Sequence, residues 1–371
     1  MSRIFVAGMG AVSPAGWSVA ALRAALDEDE PLPTQTMVRP GWAKPLRARL
    51  VPNPARRPEF LAHPRLRRAS PITHYVVATA LEAIGNLRAH RNAEYRLGLV
   101  VCLQSGCVNY SCRFFDETLK DPATASPLLF PETVYAAPAS HVAAVLENVS
   151  LASTLVGDPA AFLQGVSLGA QWLEEDRVDA CLVVGAEETN WILADALWHL
   201  ERSAVLTGGA GALCLCRDPK WVAGVELTAI TDVHTYSTQN DRTRAARAMR
   251  QQLGKPEAPA SRRPVALGQN VKSAGKMAAP PENLELLCDG TGSSPRADGP
   301  ELAAWRDWTG LRISPKRILG EGLMAAAAWQ CVAACDAVAG ERFAAANVSL
   351  VGSNQQAIGA RFEIVAPASP L

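Results

Sequence analysis

Ser150–Leu173 reads SLASTLVGDPAAFLQGVSLGAQWL and joins two structural patterns in one short stretch. Apolar and β-branched residues run to Val156, Gly157-Asp158-Pro159 interrupts the run, and apolar residues then recur at helical spacing. This pattern predicts a strand, a tight turn and a helix. We expect Asp158 to be the helix N-cap and Pro159 the first helical residue, because proline has no N–H group to leave unpaired there.

The tip of this elbow limits the chemistry that it supports. Elbows of this kind commonly present a nucleophile at the helix N-terminus, where backbone N–H groups and the helix dipole stabilise developing negative charge. Here Gly157, Asp158, Pro159 and Ala160 offer neither a thiol nor a hydroxyl. A functional interpretation must therefore explain an elbow without a nucleophile.

Composition argues against several classes of protein. The 36 basic and 36 acidic residues balance, so bulk attraction to nucleic acid or to an anionic membrane is not expected. Met324–Ala339 is too short for a membrane span and carries Gln330 and Asp336. The chain begins with a strand pattern rather than a signal sequence, so we expect a cytoplasmic protein with no membrane span. Its nine cysteines lack zinc-binding spacing, and we expect buried thiols and no metal site.

Two units made of a strand, a loop and a helix of small residues occur, one around Pro159 and one around Gly322. They predict an α/β fold of two related halves, residues 1–220 and 221–371, with their central helices packed back to back. A stretch rich in proline, alanine and lysine, Gly254–Pro281, is predicted to be a linker.

The N-terminal segment contains a glycine pair that bears on cofactor binding. We expect Arg3–Ala7 to be a strand and Gly8–Gly16 to be a turn that leads into the helix Ser18–Leu26. Because Ser13 replaces the third glycine of a dinucleotide-binding loop, we expect no nucleotide cofactor.

Two stretches are rich in basic residues. Arg39–Arg68 holds nine arginines and lysines against Glu59 alone, and Arg242–Arg250 lies on a predicted helix. Each stretch is either a solvated surface or a contact for an acidic partner. The sequence leaves both interpretations open.

Several motifs, taken together and in order, resemble the β-ketoacyl-acyl-carrier-protein synthase family of the thiolase fold. They are GMGAVSPAG at Gly8–Gly16, SPLLFP at Ser126–Pro131, DACLVVGAEE at Asp179–Glu188, DGTGSSPRAD at Asp289–Asp298, the Lys316 loop with its Ala-rich helix, and GSN at Gly352–Asn354. The resemblance implies a thiolase-like α/β fold, in which two related halves form a layered α-β-α-β-α architecture. It implies no cofactor.

Active members of that family hold a nucleophilic cysteine at the elbow and two histidines in the second half. The cysteine position falls on Pro159 here, and the histidine positions fall on Asp289 and Glu321, while the family lysine is retained as Lys316. All six histidines of this chain lie upstream of Asp289, so no shift of alignment restores them.

These replacements oppose both half-reactions of the family. Acyl transfer needs a soft nucleophile, and a carboxylate such as Asp158 would form a far more labile mixed anhydride. Proline also removes the backbone N–H that would help to stabilise an oxyanion. Asp289 and Glu321 would place anions where an enolate must develop. Two interpretations of the second-half residues remain, a buried ion pair of Lys316 with Glu321 or a repurposed acid/base site.

The chain is similar to chain-length-factor subunits, which are catalytically silent homologues of ketosynthases. It implies a heterodimer with an active ketosynthase, an acyl carrier protein as further partner, and a role in type II polyketide, aryl-polyene or fatty-acid synthesis. The expected pocket residues are Phe162, Asp158, Gly352, Ser353 and Asn354. The alternatives are an acyltransferase or hydrolase that uses Asp289, Glu321 and Asp158, and a stand-alone acyl-binding protein. Whether the chain is an enzyme, and whether it forms a homodimer instead, stays open at this point.

Overall fold

The computed structural model describes residues 3–39, 41–43, 45–90, 95–218, 224–254, 284–352 and 355–365. Most of the predicted linker Gly254–Pro281 lies outside these ranges, as does the predicted boundary at residue 220. The division into residues 1–220 and 221–371 therefore stays a prediction.

Fourteen strands and eleven α-helices are formed by the described residues. The strands are β1 Ile4–Val12, β2 Gln35–Met37, β3 Leu46–Arg49, β4 Leu97–Leu103, β5 Val149–Val156, β6 Ala180–Glu187, β7 Leu206–Thr207, β8 Gly209–Cys216, β9 Val225–Ile230, β10 His234–Thr235, β11 Glu285–Cys288, β12 Leu311–Ile313, β13 Ala345–Val351 and β14 Gln356–Ile364. The helices are α1 Val19–Glu28, α2 Pro71–Ala83, α3 Gly85–His90, α4 Val108–Lys120, α5 Ala137–Leu146, α6 Ala161–Glu174, α7 Trp191–Leu200, α8 Gln239–Leu253, α9 Pro295–Ala304, α10 Pro315–Leu319 and α11 Met324–Ala339.

The main sheet repeats one pattern of strand pairing in its two halves. In the first half β5, β4 and β6 are parallel, and β8 and β1 follow them antiparallel. In the second half β12, β11 and β13 are parallel, and β14 and β9 follow them antiparallel. An antiparallel pairing of β1 with β9 joins the halves. The predicted architecture of two related halves is confirmed.

The two halves of the sheet, the central helices between them and the helices on each outer face form five layers. α11 packs on β6 and β8 of the first half and on β11 and β13 of the second, and α6 packs on β4 and β6 and also contacts β14. The predicted pair of central helices therefore lies between the two halves of the sheet. α2 and α5 cover the outer face of the first half, and α8 and α9 cover that of the second.

Small residues let α11 approach both halves closely. Its residues from Met324 to Val338 are buried. A Cβ atom added to Gly211 of β8 would lie only 2.8 Å from the Cβ atom of Ala328. Trp329 is held at the same contact, because its Nε1 donates to the carbonyl oxygens of Val12, at 3.1 Å, and Ala210, at 2.9 Å. The alanine-rich composition of this helix is thus a packing requirement.

The predicted end of the first strand at Ala7 is wrong, since β1 continues to Val12. Gly8 and Gly10 lie within the strand and not in a turn. A side chain at either position would overlap the α2 backbone, at the carbonyl oxygens of Ala83 and Thr79 respectively. These glycines allow a strand to lie directly on a helix, which explains why their sequence pattern resembles a turn.

The expected thiols are buried. All nine cysteines are free, and eight of them are buried, with Cys112 partly exposed. Burial raises the pKa of Cys107 to about 12, so this thiol is a poor nucleophile.

Within the described ranges no helix is both long and apolar enough to cross a membrane. In the same ranges, no group of three or more histidine, cysteine, aspartate or glutamate side chains is placed to hold a metal ion.

Candidate functional site

The elbow forms between β5 and α6, but its helix begins later than predicted. α6 begins at Ala161 with Ala160 as N-cap, and no side chain caps it. The main chain closes the turn by itself, because Ala161 N donates to the Asp158 carbonyl oxygen at 2.9 Å and Phe162 N donates to that of Pro159 at 3.2 Å. The predictions of Asp158 as N-cap and Pro159 as first helical residue are therefore wrong.

The Asp158 side chain points instead to the turn between β13 and β14. Its Oδ1 accepts a hydrogen bond from Gln356 Nε2 at 2.8 Å, and its Oδ2 accepts one from the Gln355 amide at 3.2 Å. Gly352 lies so close that a Cβ atom there would overlap the carboxylate. The structure thus brings Asp158 and Gly352 together, and their role as pocket residues stays a prediction. Ser353 and Asn354 lie outside the described residues.

The elbow tip is enclosed by the chain itself. Asp158, Pro159 and Ala160 are all buried. Phe162 is fully buried in the core between α6 and β6, where a Cβ atom added to Gly185 would lie 2.8 Å from its ring. Its role as a wall that limits acyl chain length stays a prediction, and from this position it would act from inside the core.

Asp289 follows β11 and is fully buried. Its Oδ1 accepts hydrogen bonds from Ser314 Oγ at 2.6 Å, Thr291 Oγ1 at 2.8 Å and the Thr291 amide at 3.1 Å. Arg312 Nη1 lies 3.1 Å from Oδ2 and supplies a compensating charge, although no hydrogen bond of good geometry reaches that oxygen within the described residues. The Asp289 carboxylate is therefore held by short local contacts.

Glu321 precedes α11 and forms the ion pair with Lys316 that the sequence offers as one of two interpretations. Lys316 Nζ lies 2.9 Å from Oε2, Ser293 Oγ donates to Oε2 at 2.7 Å, and the Leu323 amide donates to Oε1 at 2.9 Å. Burial by itself would raise the pKa of the Glu321 carboxyl. The Lys316 charge and these hydrogen bonds outweigh burial and hold that pKa below its usual value.

Residues of one loop, Thr291 and Ser293, donate hydrogen bonds to the two carboxylates, Thr291 to Asp289 and Ser293 to Glu321. Ser314 contacts both Asp289 and Thr291, the latter at 3.1 Å between hydroxyl oxygens, and Ser293 of the same loop as Thr291 donates to Glu321. Within the described residues, no hydrogen bond or ion pair links Asp158 with Asp289 or Glu321. The three acids of the repurposed-enzyme interpretation are therefore not assembled into one acid/base set.

A further buried acid beside Asp289 is missing from the sequence analysis. Glu301 on α9 accepts hydrogen bonds from the Ser349 hydroxyl and, at 3.2 Å, from the Gly290 amide. Burial, together with the nearby Asp289 charge, raises the pKa of Glu301 to about 8. Its surroundings in the sequence are polar and contain two prolines, so no pattern marks it as a core residue.

Solved structures, rather than sequence comparisons, identify the fold. No protein-family model matches the sequence, and no curated protein matches it. The ishigamide ketosynthase/chain length factor structure superposes with a TM-score of 0.77 at 16% identity, covering 98% of this chain and 100% of the other. A ketosynthase in complex with its chain length factor from Xenorhabdus doucetiae gives 0.74 at 13% identity, with 98% of each chain covered. A type II polyketide acyl carrier protein in complex with its ketosynthase gives 0.74 at 12% identity, covering 98% and 100%. The chain therefore has the thiolase-like fold of the ketosynthases and chain length factors.

Proposed function

We propose that this chain is a catalytically silent subunit, similar to a chain length factor, that pairs with an active ketosynthase in the cytoplasm. The pair would serve type II polyketide, aryl-polyene or fatty-acid synthesis. The observation that carries the proposal is the state of the two second-half positions. Asp289 and Glu321 stand where the family has histidines, and both are buried and already engaged by partners of this chain.

The chemistry of these positions supports a subunit that does not catalyse the reaction itself. A general base must be free to reach a proton of the substrate, but Glu321 is committed to Lys316 and Asp289 to Ser314 and Thr291. Neither carboxylate would stabilise an enolate, because like charges repel. At the elbow, Pro159 provides neither a nucleophile nor an N–H donor. The contacts thus favour a structural role over the repurposed acyltransferase or hydrolase.

An exposed strand edge supports pairing with another subunit. β5 is the last strand of the main sheet and pairs only with β4 among the described strands. Ser150, Ala152 and Val156 of this strand are exposed, and none carries a charge that would block a further strand or helix. An uncharged edge strand of eight residues favours pairing with another chain.

A large apolar surface adjoins that edge. It is formed by α4 and the segment that follows, and we call it the α4 surface; its exposed members are Phe115, Leu119, Leu128, Phe130, Val134 and Tyr135. Tyr135 Oη donates to the Gln104 carbonyl oxygen at 3.4 Å, just beyond the end of β4, and Gly157 N donates to that of Leu103 at 3.1 Å. The end of β5 and the α4 surface therefore flank the same strand end. A group of exposed apolar side chains on neighbouring elements favours a protein interface there.

The basic residues divide into two groups that differ in their pairing. Two of the four arginines on α8 are paired, Arg244 with Asp241 and Arg250 with Asp307. Of the other two, Arg242 is buried, and only Arg247 is left exposed without an ion pair among the described residues. Around the two short 3-10 turns before α2 lie five arginines that form no ion pair within the described residues, Arg56, Arg57, Arg65, Arg67 and Arg68. Free cations attract an acidic partner more strongly than neutralised ones do. We therefore place the contact with an acyl carrier protein at the turns rather than on α8.

Co-expression with an active ketosynthase tests the proposal. We expect the wild-type chain to elute with the ketosynthase as one complex, and Phe115→Asp to abolish that complex because it buries a charge in an apolar interface. Leu302→Asp is the matched control, since Leu302 is an exposed leucine on α9 in the opposite half. Elongation by the chain alone, or an acyl group bound covalently to it, would refute the proposal.

A further inference from the structure

Glu188 directly follows β6, is 1% exposed, and binds the first turns of two helices at once. Its Oε2 accepts a hydrogen bond from the Ile72 amide at 3.1 Å, and its Oε1 accepts one from the Asn109 amide at 2.7 Å. Ile72 is the second residue of α2, and Asn109 is the second residue of α4. The N-cap residues of these helices, Ser70 and Cys107, form no capping bond through their side chains. One buried carboxylate therefore caps both helices and meets the positive ends of both helix dipoles.

The two helices differ in the other contacts that hold them. α2 buries one face of its side chains in the core of the first half. By contrast, no residue of α4, from Val108 to Lys120, is buried. α4 packs chiefly on the 3-10 turn Phe130–Thr133, which belongs to the α4 surface itself, with the rings of Phe114 and Phe130 5.4 Å apart. The position of α4 on the body of the protein therefore depends on the contacts at its N-terminus, whereas that of α2 does not.

The residues on either side of Glu188 attach the same helix start. Glu187, which is also 1% exposed, accepts hydrogen bonds from the amides of Gln104, at 2.5 Å, and Ser105, at 3.2 Å, in the loop before α4. Asn190 Nδ2 donates to Asn109 Oδ1 at 2.8 Å. The start of α4 is thus fixed to the end of β6, which is the middle strand of the first half of the sheet.

We propose that Glu188 is a positioning residue for the contact with the ketosynthase: by capping α4, it holds the α4 surface in one orientation before the partner binds. The proposal rests on the proposed function, because it names the group that sets the geometry of that interface. A surface that is ordered in advance loses less conformational freedom on docking, so its affinity for the partner is higher. Glu188 itself needs no contact with the partner, since it is buried at the start of α4.

Glu188→Gln tests this role with little change in size. The new amide side chain has a single acceptor oxygen, and its nitrogen would face a backbone N–H, so it cannot accept from both helices. In the chain alone we expect the amides of α4 to exchange with solvent about fivefold faster, the factor given by the loss of one helix cap. The amides of α2 should change little, because the core holds that helix. The dissociation constant of the complex with the ketosynthase should rise by a similar factor.

Glu82→Gln is the matched control. The Glu82 carboxylate also accepts one backbone hydrogen bond on each oxygen, from Ala11 N and Val19 N at 2.9 Å each, but these residues belong to β1 and to the start of α1. We expect this variant to keep the wild-type exchange of α4 and the wild-type dissociation constant, although it loses the same kind of contact. A general loss of stability would change both variants, whereas a loss of positioning changes only Glu188→Gln.

Glu188→Asp provides a second variant, which keeps the charge but shortens the side chain, so one carboxylate can no longer reach both helices. It is expected to change the exchange of α4 and the dissociation constant in the same direction. Wild-type exchange of α4 in both Glu188 variants, or a dissociation constant equal to that of Glu82→Gln, would overturn the proposal. A wild-type chain that forms no complex would contradict the proposed function, whereas faster exchange of α4 in Glu188→Gln would still assign the position of that helix to Glu188.

Discussion

Replacing Lys316 with methionine tests whether the second-half site is a closed structural pair. The substitution leaves the Glu321 carboxylate buried with hydrogen bonds from Ser293 and Leu323 but with no opposite charge. Removing one partner of a buried ion pair costs about 3–5 kcal/mol, because the remaining charge is uncompensated. Since a whole domain is stable by only about 5–15 kcal/mol, we expect a large fall in the free energy of unfolding at pH 7.5.

The loss of unfolding free energy in Lys316→Met should be larger at pH 7.5 than at pH 5. In the wild type the folded pKa of Glu321 lies below its unfolded value, so the stabilisation is present above the unfolded pKa and lost as the pH falls through the folded one. In Lys316→Met burial is no longer outweighed by the cation, and the pKa of Glu321 rises. The carboxyl of the variant then takes up a proton in mild acid, and its deficit relative to the wild type should shrink between pH 7.5 and pH 5.

Urea denaturation at the two pH values measures this deficit. The control is Arg317→Met, which removes the neighbouring cation from an exposed ion pair with Asp29. Exposed pairs contribute about 0–1 kcal/mol, so this variant should remain near the wild type. A Lys316→Met deficit no larger than that of Arg317→Met, or one that is the same at both pH values, would refute a closed buried pair.

Two further substitutions test buried groups. Because the folded pKa of Glu301 is about 8, the folded state keeps a proton that the unfolded state releases near pH 4.5, and stability falls between these values. Glu301→Gln should lack that part of the decline in urea denaturation from pH 5 to pH 8; parallel pH profiles would contradict this. Phe162→Ala should cost about 3–5 kcal/mol of unfolding free energy, because Phe162 is fully buried against Gly185. A cost below about 1 kcal/mol would show that the site collapses or is solvated.

The sequence predicts those elements whose signal is local. The strands β4, β6 and β8 are buried on both faces, so each reads as a nearly continuous apolar run. The extent of β1 is not predictable in this way. Gly8 and Gly10 resemble a turn in the sequence, and only the position of α2 shows that they are needed inside a strand.

Site residues, like the strands, are predictable only where their signal is local in the sequence. The positions of Asp289, Lys316 and Glu321 are predictable from motif order, and the pairing of Lys316 with Glu321 is one of two interpretations because the two lie close in the chain. The partners of Asp158 are not predictable from local rules, since Gln355 and Gln356 lie in the other half. A local rule therefore assigns this carboxylate to the helix N-terminus, whereas donors from far along the chain bind it.

The contacts of the three buried carboxylates support the proposed silent subunit. Buried carboxylates without partners would cost several kcal/mol for each charge. Instead Glu321 faces Lys316 at 2.9 Å, Asp289 has Arg312 at 3.1 Å, and Asp158 holds a turn of the other half. Each carboxylate is thus engaged by other groups of this chain, Glu321 by Lys316 and Ser293, Asp289 by Arg312 and Asp158 by Gln356. Groups engaged in this way are unavailable to a substrate, as the proposed silent subunit requires.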